Sequence, residues 1–370
     1  MKVKDIAQVI ETIAPLKLAQ SWDNVGLLIG DSNKAVKKIL LTIDLTVDVL
    51  AEAKRLKTDL IISYHPVIWD GLKKITPDGP AAPVYNAIKS DIAVFSIHTA
   101  LDAAIGGVND GLAQIIGLEN SEPIGDFVTP PFADNYKLVV FVPVKSLEKV
   151  SNAVFKAGAG TIGNYRNCGF GAIGEGSFLP LEGSHPAIGK KGKLEKVTEI
   201  RFETIVPAEK IDAVVAAMKK AHPYEMPAYD VIKLYPTDSK FGLGRIGILK
   251  EPLSLDKLIA KIKRQTDAKA VGIVGREKRI VKKAAVCAGS CGKIINQVIA
   301  ANADLYLTGE LKHHQALAAQ EAGLTCLCLS HTVSERFILK KLAAQLQKRL
   351  KLVKISTSKT DFDPFNWKKI

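Results

Sequence analysis

Leu60-Ile61-Ile62-Ser63-Tyr64-His65-Pro66, Ala93-Val94-Phe95-Ser96-Ile97-His98 and Cys326-Leu327-Cys328-Leu329-Ser330-His331 share one local pattern, a short apolar strand that runs into a histidine. Asp102 follows the second histidine and Glu335 the third, each four residues on. In a helix, positions i and i+4 share a face about one turn apart. A helix opening at His98 or His331 therefore aims both groups at the end of the preceding strand, the sheet edge where α/β folds bind ligands. Taken alone, each pair reads as a helix-start histidine beside a carboxylate. Three strand-end histidines with two such pairs read as a metal site, and mixed nitrogen and oxygen donors suit zinc, manganese or iron(II) better than calcium.

Working outward, residues 1–125 alternate between the two periodicities. Helices are expected over Val3–Ile13, Val47–Arg55, Val84–Ser90 and Val108–Ile116, and strands over Lys38–Ile43, Asp59–Ser63 and Ile92–Ile97. Thr129-Pro130-Pro131 is a break. An internal repeat follows: strand Tyr136–Pro143 with helix Ser146–Ala157, then strand Glu199–Pro207 with helix Ala208–Ala221, closed by strand Tyr229–Leu234. Two such units suggest a ferredoxin-like split βαβ, with the glycine-rich stretch Gly160–Lys193 as an extended hairpin or loop. From Phe241 the first pattern resumes. Its strands are Lys269–Val274, Ile280–Ala288, Asp304–Thr308 and Thr325–Leu329, and its helices Leu255–Gln265, Lys293–Ala300, His313–Ala322 and one long helix, Ser334–Leu350. The expected fold is α/β, a layered domain formed by both chain ends (1–128 and 237–370) and interrupted by a ferredoxin-like α+β insert (129–236). His65 and His98 precede the insert and His331 follows it, so one site requires the two flanks to fold together.

The chain of 370 residues is 47% hydrophobic and contains no apolar run near the ~20 residues of a membrane span. Its opening residues lack the apolar stretch of a signal peptide, so a cytoplasmic protein without membrane contact is expected. Five cysteines without a CxxC pair argue against a disulfide framework or a zinc knuckle. The net charge of +13 is uneven: −4 over residues 1–130, +3 over 131–236 and +14 over 237–370. Its basic segments, such as Lys257–Arg264 and Lys340–Lys354, interleave apolar residues as solvated amphipathic faces do. With no nucleic-acid motif or aromatic–basic platform present, nucleic acid is not an expected partner.

Several neighbours carry two readings. Tyr64 reads as a hydrogen bond at the pocket wall. Asp44 reads first as a helix cap before Val47 and second as a pocket carboxylate. Trp22-Asp23-Asn24 reads as a turn before a strand, with Trp22 packing and Asp23 or Asn24 capping or reaching the pocket. Glu310 reads as a general base, and His313 or His314 as a proton shuttle, of which at most one can face the site. The turn Ala288-Gly289-Ser290-Cys291-Gly292-Lys293 could cradle an anion on backbone amides, although it is no Walker A loop.

Ser21-Trp22-Asp23-Asn24-Val25-Gly26-Leu27, Ser63-Tyr64-His65-Pro66, His98 to Asp102, Leu305-Tyr306-Leu307-Thr308-Gly309-Glu310, His313-His314 and Ser330-His331 to Glu335 together resemble the GTP cyclohydrolase type 2 homologue family, also called Nif-three-like proteins. The resemblance covers nearly the whole chain, and the insert is similar to the CutA-like or PII-like domain of the longer members. It implies a two-metal site with ligands His65, His98, Asp102, His331 and Glu335. Tyr64 stands where many members have a first histidine, so one or two divalent ions are implied. The resemblance further implies a homo-oligomer, hexamer or trimer, and a small-molecule substrate, GTP or another nucleotide. The activity implied is hydrolytic opening of the guanine ring, with Glu310 or the nearby His313 moving protons. The competing readings are a metal-binding regulatory or interaction module without turnover, and a nucleic-acid-binding ring.

Overall fold

Val3, Ile6 and Ile10 bury one face of α1 (Val3–Glu11) in the computed structural model, which describes residues 1–127, 135–162, 164–234 and 241–365. The first flank continues through β1 (Gly26–Ile29), β2 (Lys38–Thr42), α2 (Val47–Leu56), β3 (Leu60–Ser63), α3 (Ala82–Lys89), β4 (Ala93–Ser96), α4 (His98–Ala103), α5 (Val108–Ile116) and β5 (Leu118–Phe127). Thr46, not Asp44, caps α2: its side chain accepts from the Val49 amide. Asp44 is thereby released for the second role considered for it.

The chain divides into two compact units, residues 1–128 with 239–370, and residues 129–238. The boundaries expected at 128/129 and 236/237 lie outside the described residues. The second unit runs β6 (Asn135–Pro143), α6 (Leu147–Lys156), β7 (Gly169–Phe178), β8 (Glu195–Pro207), α7 (Ile211–Ala221) and β9 (Tyr229–Lys233). Its antiparallel sheet is ordered β7-β8-β6-β9, the order of a ferredoxin-like split βαβ. The region expected as a hairpin or loop thus holds a full strand, β7, whose glycines conceal the alternation that marks strands. Leu138, Val140, Phe202, Val150, Val154, Val214 and Met218 form this unit's own core between sheet and helices.

The first unit resumes with β10 (Gly242–Ser254), α8 (Leu255–Gln265), β11 (Gly272–Val274), β12 (Ile280–Cys287), α9 (Ile295–Ala300), β13 (Leu305–Thr308), α10 (His313–Glu321), β14 (Thr325–Cys328), α11 (His331–Arg336), α12 (Ile338–Arg349) and β15 (Lys354–Thr357). The long helix expected from Ser334 is two helices parted at Phe337. Arg336, closing the first, is held by the Asp361 carboxylate at 2.8 Å and by the Ser358 carbonyl.

Two sheets, β1-β4-β3-β2-β15 and β11-β14-β13-β12-β10-β5, share one apolar core drawn from both flanks. Each has three parallel strands at its heart, β2-β3-β4 and β12-β13-β14. The parallel is detailed. Asp59, ahead of β3, accepts from the Lys37 and Lys38 amides, while the Lys38 ammonium donates to the Leu56 carbonyl. Asp304, ahead of β13, accepts from the Lys282 and Lys283 amides, while the Lys283 ammonium donates to the Ala301 carbonyl. The first unit is therefore an internal duplication, in which β4 delivers His98 and β14 delivers His331 at equivalent places. By the same spacing, Glu310 occupies the position of His65.

Candidate metal centre

His65 is set by the last rung of the β2–β3 pairing, where its amide donates to the Ile43 carbonyl. The His98 amide donates to the Tyr64 carbonyl, placing the two imidazoles side by side with centroids 5.0 Å apart. From the other half of the duplication comes His331, its ring 5.3 Å from that of His65. It opens α11 directly after Ser330, whose φ of +79° is rare outside glycine. Such backbone outliers persist where the surroundings fix them; here the Ser330 amide donates to the Gly309 carbonyl.

Each imidazole is oriented by a carboxylate. Nδ1 lies 2.9 Å from Asp44 in His65, 2.9 Å from Asp23 in His98 and 2.9 Å from Glu310 in His331. An ionised carboxylate only accepts, so each Nδ1 carries a proton, leaving Nε2 as the ring atom that can hold a metal. Histidines that bind metals are held this way, the carboxylate fixing tautomer and ring direction. Asp23 is itself tied to the Thr99 amide. Burial works to raise its pKa, yet the His98 and Thr99 contacts outweigh this and hold it below the usual range.

Glu335 stands between the two halves. Its Oε1 is 3.3 Å from His331 Nε2 and its Oε2 is 3.4 Å from His65 Nε2. Donor atoms of His65, His331 and Glu335 all lie within 4.8 Å of one another. Oε2 is buried with no hydrogen-bond partner among the described residues, the condition of a ligand atom awaiting a cation. The hydrogen bond to Glu335 is the main cause raising the His331 pKa to about 10. At His65, burial opposes the charged form, but the Asp44 hydrogen bond and the Glu335 charge prevail and raise the pKa.

Asp102 lies on α4, four residues after His98. Its carboxylate accepts from the Tyr64 hydroxyl, and burial raises its pKa to about 6 against the lowering effect of His98. Burial, followed by the Asp102 charge, raises the Tyr64 phenol well above its ordinary value. Tyr64 thus makes the pocket hydrogen bond expected of it. Of the five expected ligands, His65, His331 and Glu335 bring their donor atoms together, His98 lies beside them with its ring 5.0 Å from that of His65, Asp102 is bonded to Tyr64, and Glu310 reaches the cluster through His331. His313 does not join them: it opens α10 exposed, its ring against His314.

Gly289 makes room for the cluster. It has φ +67°, and a Cβ placed on it would lie 2.6 Å from Glu335 Oε1 and 3.4 Å from His331 Nε2. Its amide donates to Ser334 Oγ, and its carbonyl accepts from the Gly309 and Glu310 amides. The expected anion cradle is corrected at this residue, because its amide is already engaged and the turn serves to seat α11 and Glu310. Over the histidines sit Trp22 and Trp69, 54% and 53% exposed, stacked on each other at 6.4 Å and packed against His98 at 5.9 and 5.2 Å. Sequence reasoning passed over Trp69, an exposed aromatic in a loop. Its place three residues after Pro66 was the available signal.

The fold agrees with that of known proteins. The sequence model of the Duf34/NIF3 (NGG1p interacting factor 3) family matches residues 1–364. A Bacillus subtilis protein named GTP cyclohydrolase 1 type 2 homolog is 39% identical over 98% of both chains, and one of the same name from Mycobacterium tuberculosis is 37% identical over 85% of this chain and 83% of its own. Among solved structures, a Bacillus cereus protein related to NIF3 is 38% identical with a TM-score of 0.72, and a Staphylococcus aureus protein is 27% identical with a TM-score of 0.80, each covering 99% of both chains. With the match running from the first strand-end histidine through the last, the chain belongs to the Duf34/NIF3 family.

Proposed function

We propose that the chain is a metal-dependent hydrolase acting on a nucleotide or related small molecule, with His65, His98, Asp102, His331 and Glu335 as the ligand set for one or two divalent ions of the zinc, manganese or iron class. The observation that carries this reading is the unpartnered, buried Glu335 Oε2 facing His65 Nε2, beside three imidazoles whose Nδ1 atoms are each held by a carboxylate. A bound ion would supply Lewis acidity and a means of activating water near neutral pH. The chain's own residues do the rest. Asp44, Asp23 and Glu310 present the Nε2 lone pairs and buffer the charge on the rings. His331 and Glu335, which otherwise share a proton, would give it up in holding an ion. Glu310, half exposed and bonded to His331, would pass a proton between that ring and solvent. The stacked indoles of Trp22 and Trp69 offer a face for a planar heterocycle, which favours a purine nucleotide over a sugar or peptide. The name shared by the relatives makes ring opening of GTP the first reaction to test, in a homo-oligomer of the trimeric or hexameric kind. Incubation with GTP and Mn²⁺, Zn²⁺ or Fe²⁺ releases formate under this reading. Stoichiometric bound metal with no formate under any of the three would overturn the ring-opening assignment and leave a metal-binding module.

A further inference from the structure

Within the second unit, a cavity of about 560 Å³ opens on one face of the sheet, a size that suits a small ligand. Phe141, Ile173, Phe178, Pro186, Ile188 and Met226 are among its apolar lining residues. Two of them project into solvent, Ile173 at 77% and Met226 at 84% exposure.

Glu175, Glu199, Arg201 and Glu225 are its charged lining residues, and of these Glu199 is the buried one. Glu199, on β8, is only 8% exposed. Among the described residues its carboxylate makes no ion pair, and the Tyr224 hydroxyl is its hydrogen-bonding neighbour. Burial, followed by the hydrogen bond to Glu199 and the Glu199 charge, raises the pKa of the Tyr224 phenol. His222 cannot neutralise Glu199. Its Nε2 faces the Phe141 carbonyl at 3.0 Å and its Nδ1 accepts from the Tyr224 amide at 3.1 Å, which fixes the neutral tautomer. Arg201 is committed elsewhere, to Glu203 at 2.8 Å and over the Phe141 ring. The backbone makes way for the carboxylate: a Cβ at Gly176 would fall 2.2 Å from Glu199 Oε2.

A buried carboxylate without a cation is costly, and the cost is relieved when a cation arrives. We propose that this cavity is a binding site for a small molecule with an apolar, aromatic body and a protonated amine, the ammonium seated on Glu199 and Tyr224 and the body against Phe178, Ile173 and Met226. Aromatic walls favour the same ligand, since Phe and Tyr rings attract cations.

Isothermal titration of the full chain with three probes of one shape tests this: 2-phenylethylamine, 2-phenylethanol and 3-phenylpropionate. The amine binds, the alcohol binds more weakly and the carboxylate does not bind. Glu199→Gln weakens the amine about tenfold or more, to the level of the alcohol, with a melting temperature that does not fall. Should that variant fail to fold, Ile173→Ser on the exposed rim weakens amine and alcohol by the same factor. Equal binding of all three probes, an amine affinity indifferent to Glu199→Gln, or an absence of amine binding would each overturn the proposal. If the last comes with a fall in assembled mass of Ile173→Ser by light scattering, a second copy of the chain covers the cavity instead.

Discussion

Replacing Gly289 by alanine alters no proposed ligand, yet it tests the geometry of the whole cluster. Two effects separate cleanly. The first is backbone strain: at φ +67° an L-residue costs about 1–2 kcal/mol, which for a unit of this size lowers the melting temperature by about 2–4 °C. The second is steric, because the new Cβ would lie 2.6 Å from Glu335 Oε1, well inside van der Waals contact, and would push the carboxylate away from His331 and His65. Gly323 supplies the control. It has φ +71°, and a Cβ added there would meet nothing within 4 Å, so Gly323→Ala carries the strain alone. In the metal-free protein Gly323→Ala loses the strain energy alone and Gly289→Ala loses at least as much. Only Gly289→Ala also loses zinc affinity, by about 10–100-fold, the scale seen when groups supporting metal ligands are disturbed. Chelator-competition titration measures the affinity and calorimetry the stability. Wild-type affinity in Gly289→Ala, or an equal loss of affinity in Gly323→Ala, would refute the reasoning.

Two further outcomes follow from the same contacts. Asp23→Asn gives His98 Nδ1 an amide partner that can donate as well as accept, so the ring loses its fixed tautomer; zinc affinity falls about tenfold or more and the Thr99 anchor weakens, whereas an unchanged titration would remove Asp23 from the centre. In the second unit, burial keeps the His222 pKa below its ordinary value, so the unfolded chain takes up a proton near pH 6.5 before the folded one does. Stability of that unit is full above about pH 6.5 and declines as the pH falls below it. Hydrogen exchange of its amides, corrected for intrinsic rates, tracks this decline, and His222→Gln abolishes the slope.

Much of the centre was legible because its chemistry is local. The pair His331 and Glu335 is spaced for one helix face, and His98 with Asp102 likewise. The apolar strands before His65, His98 and His331 fix where each side chain emerges. What stayed hidden depends on tertiary reach. Asp44 has the look of a helix cap because Thr46, two residues on, could not be ranked above it without the backbone. Asp23 lies in a turn whose partner is 75 residues away. Glu310 was read for its acidity, whereas its position at the end of β13 makes it the carboxylate behind His331. The duplication escaped for another reason. Its two copies share burial and hydrogen-bonding requirements rather than residues, with Leu60-Ile61-Ile62-Ser63 matching Leu305-Tyr306-Leu307-Thr308, and a buried parallel strand accepts many apolar sequences. In the second unit, β7 contains Gly169, Gly171, Gly174 and Gly176, a composition that signals a loop until β8 is seen paired beside it.

Metal content per chain, measured on wild type, His331→Ala and Glu335→Ala purified in parallel, tests the central claim most directly. The account predicts a zinc-, manganese- or iron-class ion at about one or two per chain in the wild type, and a loss of most of it in both variants while their circular dichroism is retained. Unchanged metal content in both variants would contradict the assignment of the centre.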